Sequence, residues 1–407
     1  MKQWASVALG IMTAIGGFLE AGTIVTAGEA GSRFGLGLVW ASVLSTLAVI
    51  LLTEMVGRLS AVSGKGYAAA IRERFGFPFY LLPLSSELIA ESVLLGAELS
   101  GVAIALSLFT GVNWHFLLPV AAILVWVIAW RAPFKVIEDG PALLGLVMLS
   151  FLAGIVALGG PPRELLPTLW RPAVEQNKLA EYLYLAAAIM GANVSPYLIY
   201  FYSSGAREER WTSGSLGVNR ATAILGMGFG GLGQVALIVL AASVLGPLGL
   251  TGNTIPEIGL PMASAFGVVG TALFATTLFA TCLGAALELS LALPYNVAQG
   301  FGWKWGKERK PIEAPRFYLL VALFPLVGFA ASLVGGDPSQ LALLAATLMA
   351  LFLPFSVVPF LVIMNDPAYL GDKTNHRLAN LATFGVVLLA FIVAAVSIPL
   401  VVLSGGG

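Results

Sequence analysis

The stretches GGFLEAGTI at residues 16–24 and GANVSPY at residues 191–197 decide how this chain folds. Each stretch places glycine and polar side chains in the middle of a long apolar run. Pro196 removes one backbone hydrogen bond from a helix and clashes with the preceding turn. Glu20 is an acid at a depth where a charge is costly unless something compensates it. We therefore predict that each stretch interrupts a membrane-spanning helix near its middle.

The composition of the 407-residue chain is that of a membrane protein. Apolar residues make up 58% and charged residues 10%, with 21 basic and 21 acidic side chains. An average soluble domain carries about 25% charged residues. We therefore exclude a disordered chain, a nucleic-acid-binding protein and an ordinary soluble enzyme, and we expect no enzymatic activity.

Eleven apolar runs are long enough to cross a bilayer as helices, which takes about 20 residues. We place these spans at 5–30, 36–60, 78–108, 114–131, 139–159, 179–204, 221–248, 262–298, 316–336, 340–364 and 380–403. No connection between them is long enough to fold on its own. The prediction is one all-α, polytopic membrane domain over residues 1–407.

The basic residues fix the orientation, because cytoplasmic loops carry an excess of Lys and Arg. With the N-terminus in the cytoplasm, 17 of the 21 basic residues lie on the cytoplasmic side. The other four are Arg33, Arg163, Arg171 and Lys178. We therefore predict a multi-pass protein of the cell membrane with a cytoplasmic N-terminus and an extracytoplasmic C-terminus.

The two interrupted spans are the first and the sixth, so they lie five spans apart. A repeat of five helices forces the second copy into inverted topology. The repeats would cover about residues 5–159 and 179–364, and the helix at 380–403 would be appended. Interrupted helices at matching positions in two halves indicate the central substrate site of a transporter.

The residues at the interruptions suit a cation, because unwinding frees backbone carbonyls in the middle of the membrane. Glu20 and the hydroxyls of Thr23 and Ser195 would complete an oxygen-rich shell. The alternative is that Pro196 only kinks its helix and that Glu20 hydrogen-bonds internally.

Three acids follow one face of the third span. Glu87, Glu91 and Glu98 lie within about 40° of one another at 3.6 residues per turn. Such a stripe indicates a polar path or a proton relay. The alternative for Glu87 and Glu91 is a position among lipid headgroups or in a vestibule. Glu288 in the eighth span either joins the path or hydrogen-bonds to a neighbouring helix.

Several motifs resemble those of the natural resistance-associated macrophage protein (NRAMP) family of divalent metal transporters. They are the segments 31–35 and 63–66, the triplet 72–74, Glu98 with Gly101 and residues 103–106, and the segment 353–355. The resemblance covers nearly the whole chain. It implies a LeuT-type fold with two inverted five-helix repeats, one extra helix, and helices 1 and 6 broken in the middle of the membrane.

The site motifs depart from the family pattern. Residues 20–23 read Glu-Ala-Gly-Thr where the family has Asp-Pro-Gly-Asn, so Glu20 and Thr23 take the places of two ligands. Residues 195–197 read Ser-Pro-Tyr where the family has Met-Pro-His, so Ser195 replaces a thioether ligand. Ala192 keeps the position whose carbonyl binds metal. Four more positions depart from the pattern. Leu95 replaces a proton-linked aspartate, and Phe352 replaces a glutamine. Tyr197 and Tyr202 replace histidines.

These departures imply an all-oxygen site, which suits hard cations such as magnesium. We expect a secondary transporter of a divalent cation, with magnesium or manganese favoured and with proton coupling in doubt. Glu20, Thr23, Ser195 and the carbonyls of Ala21 and Ala192 would bind the ion. Gly22, Asn193, Pro196 and Tyr197 would shape the pocket, and Glu87, Glu91, Glu98 and Glu288 would offer a proton path.

Two rival functions share the same fold. The first is transport of a small organic substrate such as an amino acid or an amine, and the second is a receptor or scaffold that has lost transport. In the favoured case, the partners are the metal ion and the lipid bilayer, with no cofactor and no nucleic acid. We expect the protein to act as a monomer.

Overall fold

The structure is a computed structural model that describes residues 19–137, 140, 146–172 and 174–403. Within these ranges the chain is largely helical and contains no strand. The helices in chain order are α1 (Ala21–Phe34), α2 (Val39–Ser63), α3 (Tyr67–Phe75), α4 (Phe77–Thr110), α5 (Trp114–Arg131), α6 (Leu149–Ala157), α7 (Leu179–Asn193), α8 (Pro196–Glu208), α9 (Leu216–Thr222), α10 (Gly228–Val244), α11 (Ile255–Ile258), α12 (Leu260–Phe266), α13 (Val268–Phe301), α14 (Pro315–Gly335), α15 (Pro338–Met364), α16 (Pro367–Leu370) and α17 (Arg377–Leu403).

The described chain also contains short turns of other helix types. Tight 3₁₀ turns cover Leu146–Met148, Arg163–Leu169, Gln176–Lys178 and Ser213–Ser215. A π-helical turn at Ala223–Met227 joins α9 to α10.

Nine segments of the described chain are long and apolar enough to cross a membrane. They match nine of the eleven predicted spans, with their ends shifted by up to eight residues. The first part of span 1, up to residue 18, lies outside the described residues. So do residues 139 and 141–145 of span 5, whose remainder forms the turn at Leu146–Met148 and α6.

The interruption of span 6 falls at Val194 and Ser195. Helix α7 ends at Asn193, Ser195 is extended with φ −64° and ψ 124°, and α8 begins at Pro196. A helical residue at position 196 would donate its N–H to the Ala192 carbonyl, and proline has no N–H to donate. The predicted break is therefore present, and it leaves the Ala192 carbonyl without its helical donor.

The described part of span 1 begins with non-helical backbone at residues 19 and 20, and the residues that precede the predicted interruption lie outside the described ones. Helix α1 starts at Ala21, and Glu20 before it is extended with φ −134° and ψ 174°. The Glu20 carbonyl accepts the first helical hydrogen bond, from the Ile24 N–H at 3.0 Å. The start of α1 therefore presents the Glu20 side chain at the same level as the break between α7 and α8.

Helix α4 lies at the centre of the bundle and packs most extensively against α13, α15 and α14. Glycines allow several helices to approach closely. A Cβ built on Gly191 would lie 1.8 Å from the Ala346 carbonyl oxygen, and one built on Gly101 would lie 2.4 Å from the Cys282 sulfur. No real side chain could make contacts this short, so the helices can approach this closely only because both positions are glycine. Gly191 thus fixes α15 directly against the end of α7.

We predict that Gly191→Ala destabilises the protein. The added methyl group cannot fit against the Ala346 backbone, and overpacking of this kind costs about 1–3 kcal/mol. Thermal unfolding in detergent should show a melting temperature several degrees below that of the wild type.

Gly217→Ala is the matched control, because Gly217 is also helical and a Cβ there would meet nothing within 4 Å. Alanine should leave the melting temperature unchanged or raise it, since glycine costs a helix about 1 kcal/mol. Equal melting temperatures for Gly191→Ala and the wild type would show that Gly191 does not pack directly against the Ala346 backbone.

Candidate cation site

The two interruptions bring Glu20 and Ser195 together. The Ser195 hydroxyl oxygen lies 3.5 Å from Oε1 of Glu20, although the residues are 175 positions apart. Both side chains are buried, with 1% and 2% of their surface exposed. An acid and a hydroxyl from two separate breaks therefore share one enclosed position inside the bundle.

Hydrogen-bond acceptors converge on this position. Besides the Glu20 carboxylate, the Ser195 hydroxyl faces the Ala192 carbonyl at 3.1 Å, the Gly191 carbonyl at 3.3 Å and the Met349 sulfur at 2.9 Å. A hydroxyl carries a single hydrogen. Four acceptor atoms therefore compete for one proton, and the position is rich in negative partial charge.

Donors are scarce around the same acid. Among the described residues, no hydrogen-bond partner reaches Oε2 of Glu20 or Oε2 of Glu98. The Tyr197 hydroxyl does hydrogen-bond to the Glu20 carboxylate. Tyr197 is buried and lies close enough to Glu20, Glu98 and Glu288 to interact electrostatically with all three. Within the part of the chain that the structure describes, no basic side chain interacts with Glu20, Glu98 or Glu288, and a cation would supply the missing positive charge.

Glu98 holds the start of α1 in place. Its Oε1 accepts a hydrogen bond of 2.9 Å from the Ala21 backbone N–H. The first N–H groups of a helix have no partner within the helix, and a carboxylate there is favoured by the helix dipole. Glu98 therefore caps the helix that begins at the interruption, a role that the sequence did not predict.

Gly22 and Thr23 complete the wall of the site on α1. A Cβ on Gly22 would lie 3.3 Å from Oε1 of Glu20 and 3.6 Å from Cβ of Ala192. Thr23 is fully buried one residue further along the helix. The start of α1 therefore packs closely against the Glu20 carboxylate and against α7.

Asn193 faces another part of the bundle. Its amide nitrogen donates to the Ser45 hydroxyl at 2.8 Å and to the Gln234 carbonyl oxygen at 2.7 Å. Ser42 also donates to Gln234. This network joins α7 to α2 and α10 and was not found from the sequence, because Ser42, Ser45 and Gln234 stand alone in apolar runs. Asn193 therefore fixes the end of α7 to α2 and α10.

Glu87 and Glu91 are buried, with 1% and 0% of their surface exposed, so both side chains point into the bundle. Ser356 donates to Oε1 of Glu87 at 2.5 Å. The two carboxyl groups are close enough to interact electrostatically. Among the described residues, neither oxygen of Glu91 has a hydrogen-bond partner.

Glu288 lies 3% exposed on α13. It lines a cleft together with residues from α8 and its C-terminal flank, among them Leu198, Tyr202, Glu209 and Trp211. Glu288 also interacts electrostatically with Glu20. It therefore stands between the Glu20 cluster and the end of α8.

The donor set at Glu20 is mostly neutral. In the ranges that the structure covers, no three His, Cys, Asp or Glu side chains form a metal-binding group. The sequence predicted an all-oxygen site, and the structure adds the Met349 sulfur to it. Sequence reasoning missed Met349 because it lies inside α15, away from both interruptions. The available signal was its position one helical turn before Phe352, at the motif that resembles the NRAMP family.

Comparison with known proteins shows which family this chain resembles in sequence. A family model described as natural resistance-associated macrophage protein-like matches residues 10–402. The divalent metal cation transporter MntH of Erwinia tasmaniensis is 25% identical over 395 residues, which cover 93% of this chain and 90% of that protein.

Solved structures share the architecture. A mutant form of the manganese transporter of Eremococcus coleocola superposes with a TM-score of 0.79 at 19% identity, covering 97% of this chain and 86% of that one. Mhp1, a nucleobase-cation-symport-1 family transporter with bromovinylhydantoin bound, superposes with a TM-score of 0.61 at 13% identity, covering 98% and 92%. At these identities the two structures establish the fold alone.

The fold prediction is confirmed: the chain is an all-α polytopic membrane protein of the LeuT type. The family match runs over nearly the whole sequence. The chain therefore belongs to the natural resistance-associated macrophage protein-like family.

Proposed function

We propose that this chain is a secondary transporter that moves a divalent metal cation across the cell membrane by alternating access. The convergence of four acceptor atoms on the single hydroxyl of Ser195, one of them from the Glu20 carboxylate, carries the proposal. Family membership supports it, as do the name of the MntH relative and that of the E. coleocola manganese transporter.

The proposed ligands divide into one charge and several neutral groups. Glu20 supplies the negative charge, Thr23 and Ser195 supply hydroxyl oxygens, and the carbonyls of Ala21 and Ala192 supply the rest. Hard divalent cations are bound by carboxylate, hydroxyl and carbonyl oxygens. This donor set supports magnesium or manganese as the substrate.

A small organic substrate is the alternative that the fold allows, since Mhp1 has bromovinylhydantoin bound. The packing around Glu20 argues against it. Even one methyl group on Gly22 would press against the Glu20 carboxylate, at 3.3 Å. This close packing beside the carboxylate favours a small ligand at Glu20 over an organic molecule.

We predict that Glu20→Gln weakens divalent cation binding by at least about 100-fold. The change keeps the size of the side chain and removes its charge, and the loss of one partner of a buried charge pair costs about 3–5 kcal/mol. Isothermal titration calorimetry of the purified protein with magnesium and manganese measures the effect.

Glu164→Gln is the control, because Glu164 is an exposed acid outside the bundle. It should bind both metals as the wild type does. No binding to the wild-type protein would refute the metal proposal and favour an organic substrate. Unchanged binding to Glu20→Gln would move the site away from the interruptions.

Of the four acids in the candidate proton path, Glu288 lies on α13 and the three on α4 fall into two groups. Glu98 lies beside Glu20, and Glu87 lies beside Glu91. Seven residues, or about 10 Å of helix, separate Glu91 from Glu98. Leu94 and Leu95, both fully buried, occupy the same face of α4 between them. This apolar layer argues against a direct relay along α4.

We predict that metal uptake proceeds without matching proton uptake. Proteoliposomes that contain a pH-sensitive dye should take up the metal with a flat dye signal, because the relay is interrupted at Leu94 and Leu95. Acidification during uptake that Glu91→Gln removes would contradict this prediction and establish Glu91 in a proton path. A vesicle without protein and a vesicle with Glu20→Gln are the controls.

The proposed orientation places the N-terminus in the cytoplasm, on the basis of the 17 basic residues assigned to that side. Cys282 is the single cysteine and is fully buried, so the wild type offers a silent background for thiol labelling. Glu164 and Lys310 are exposed and lie in connections predicted to face opposite sides.

We predict that an impermeant maleimide labels Glu164→Cys in intact cells and labels Lys310→Cys only after lysis. The wild type, treated in parallel, should stay unlabelled in both conditions. The reverse pattern for the two variants would invert the topology.

A further inference from the structure

A thioether reaches the Glu20 cluster from α15. The Met349 sulfur lies 2.9 Å from the Ser195 hydroxyl oxygen, and that oxygen lies 3.5 Å from Oε1 of Glu20. Met349 is fully buried. The sulfur atom, not the apolar part of the side chain, therefore faces the most polar position in this part of the bundle.

Helix packing explains how a residue of α15 arrives there. Gly191 lies against the Ala346 backbone, where any side chain would overlap with the carbonyl oxygen. Met349 follows Ala346 by three residues, and residues three apart share a helix face. Close contact between α7 and α15 therefore directs Met349 toward the end of α7, where Ser195 lies.

The distances suit ligands of one ion. Metal ions are bound at about 2.0–2.6 Å by oxygen and sulfur, so two ligands of the same ion lie up to about 5 Å apart. From the Ser195 oxygen, the Glu20 oxygen, the Ala192 carbonyl and the Met349 sulfur all lie within 3.5 Å. These four atoms come from three separate helical segments and converge on one position.

We propose that the Met349 thioether is a ligand of the transported cation and determines its specificity, adding softer divalent metals to the hard ones that the oxygen ligands accept. The inference rests on the proposed function and deepens it. A thioether binds softer ions such as manganese, iron and cadmium in preference to magnesium. Met349 thereby gives a site with a single carboxylate a means to discriminate against magnesium.

The test compares three metals on the full-length purified protein by calorimetry. Met349→Leu keeps the volume of the side chain and removes the sulfur. We expect the affinity for cadmium to fall at least 10-fold and that for manganese to fall several-fold, while the affinity for magnesium stays within 2-fold. Met364→Leu is the matched control, since Met364 is buried in the same helix but lies at its C-terminal end, 15 residues after Met349. It should change none of the three affinities.

A second measurement needs no substitution in the site. X-ray absorption of the cadmium-loaded wild-type protein should show one sulfur neighbour of the metal. Cys282→Ser should keep that signal, and Met349→Leu should lose it. Met349→Cys should restore both the sulfur signal and cadmium binding, because a thiol is also a soft ligand.

The outcomes separate the two proposals. Absence of binding of any of the three metals to the wild type refutes the proposed function, and the inference with it. If Met349→Leu binds all three metals and its ratio of cadmium affinity to magnesium affinity equals that of the wild type, the inference is refuted and the proposed function stands. An equal loss of all three metals in Met349→Leu, or an oxygen-only neighbourhood of cadmium in the wild type, also overturns it.

Discussion

The structure depends on a shortage of hydrogen-bond donors at one buried position. Pro196 cannot supply the N–H that the Ala192 carbonyl would receive in a continuous helix. The Ser195 hydroxyl, with one hydrogen, faces four acceptors in its place. A buried acceptor without a donor costs free energy, and a buried carboxylate costs more. The bundle retains this arrangement at its centre, where a cation would satisfy all of these groups at once.

The surrounding helices hold that arrangement in three ways. Glu98 on α4 caps the start of α1, and Asn193 fixes the end of α7 to α2 and α10 through Ser45 and Gln234. Gly191 brings α15 into backbone contact with α7. Each contact involves a polar group or a glycine in an otherwise apolar helix. Some of the polar residues in the apolar spans therefore serve to position Glu20 and the break at Ser195.

The sequence predicted the fold well because its main features are local. Apolar runs reveal spans, and Pro196 and Glu20 reveal the interruptions, since each acts within its own helix. The contacts across helices were harder to predict. Glu98 appeared as one of three acids on a face, and nothing in its spacing showed that it caps α1. Met349 lies in a regular apolar helix, and only the packing of Gly191 against Ala346 shows where its sulfur points.

The burial of the site has a consequence for hydration. Thr23, Glu20 and Ser195 are 0%, 1% and 2% exposed, so the position is closed to solvent on all of these sides. An ion that occupies it must exchange most of its water shell for protein oxygens and one sulfur. Magnesium releases its water reluctantly, whereas larger divalent ions do so more readily. The rate at which water leaves the ion therefore becomes a selection step of its own, separate from the strength with which the ligands hold it.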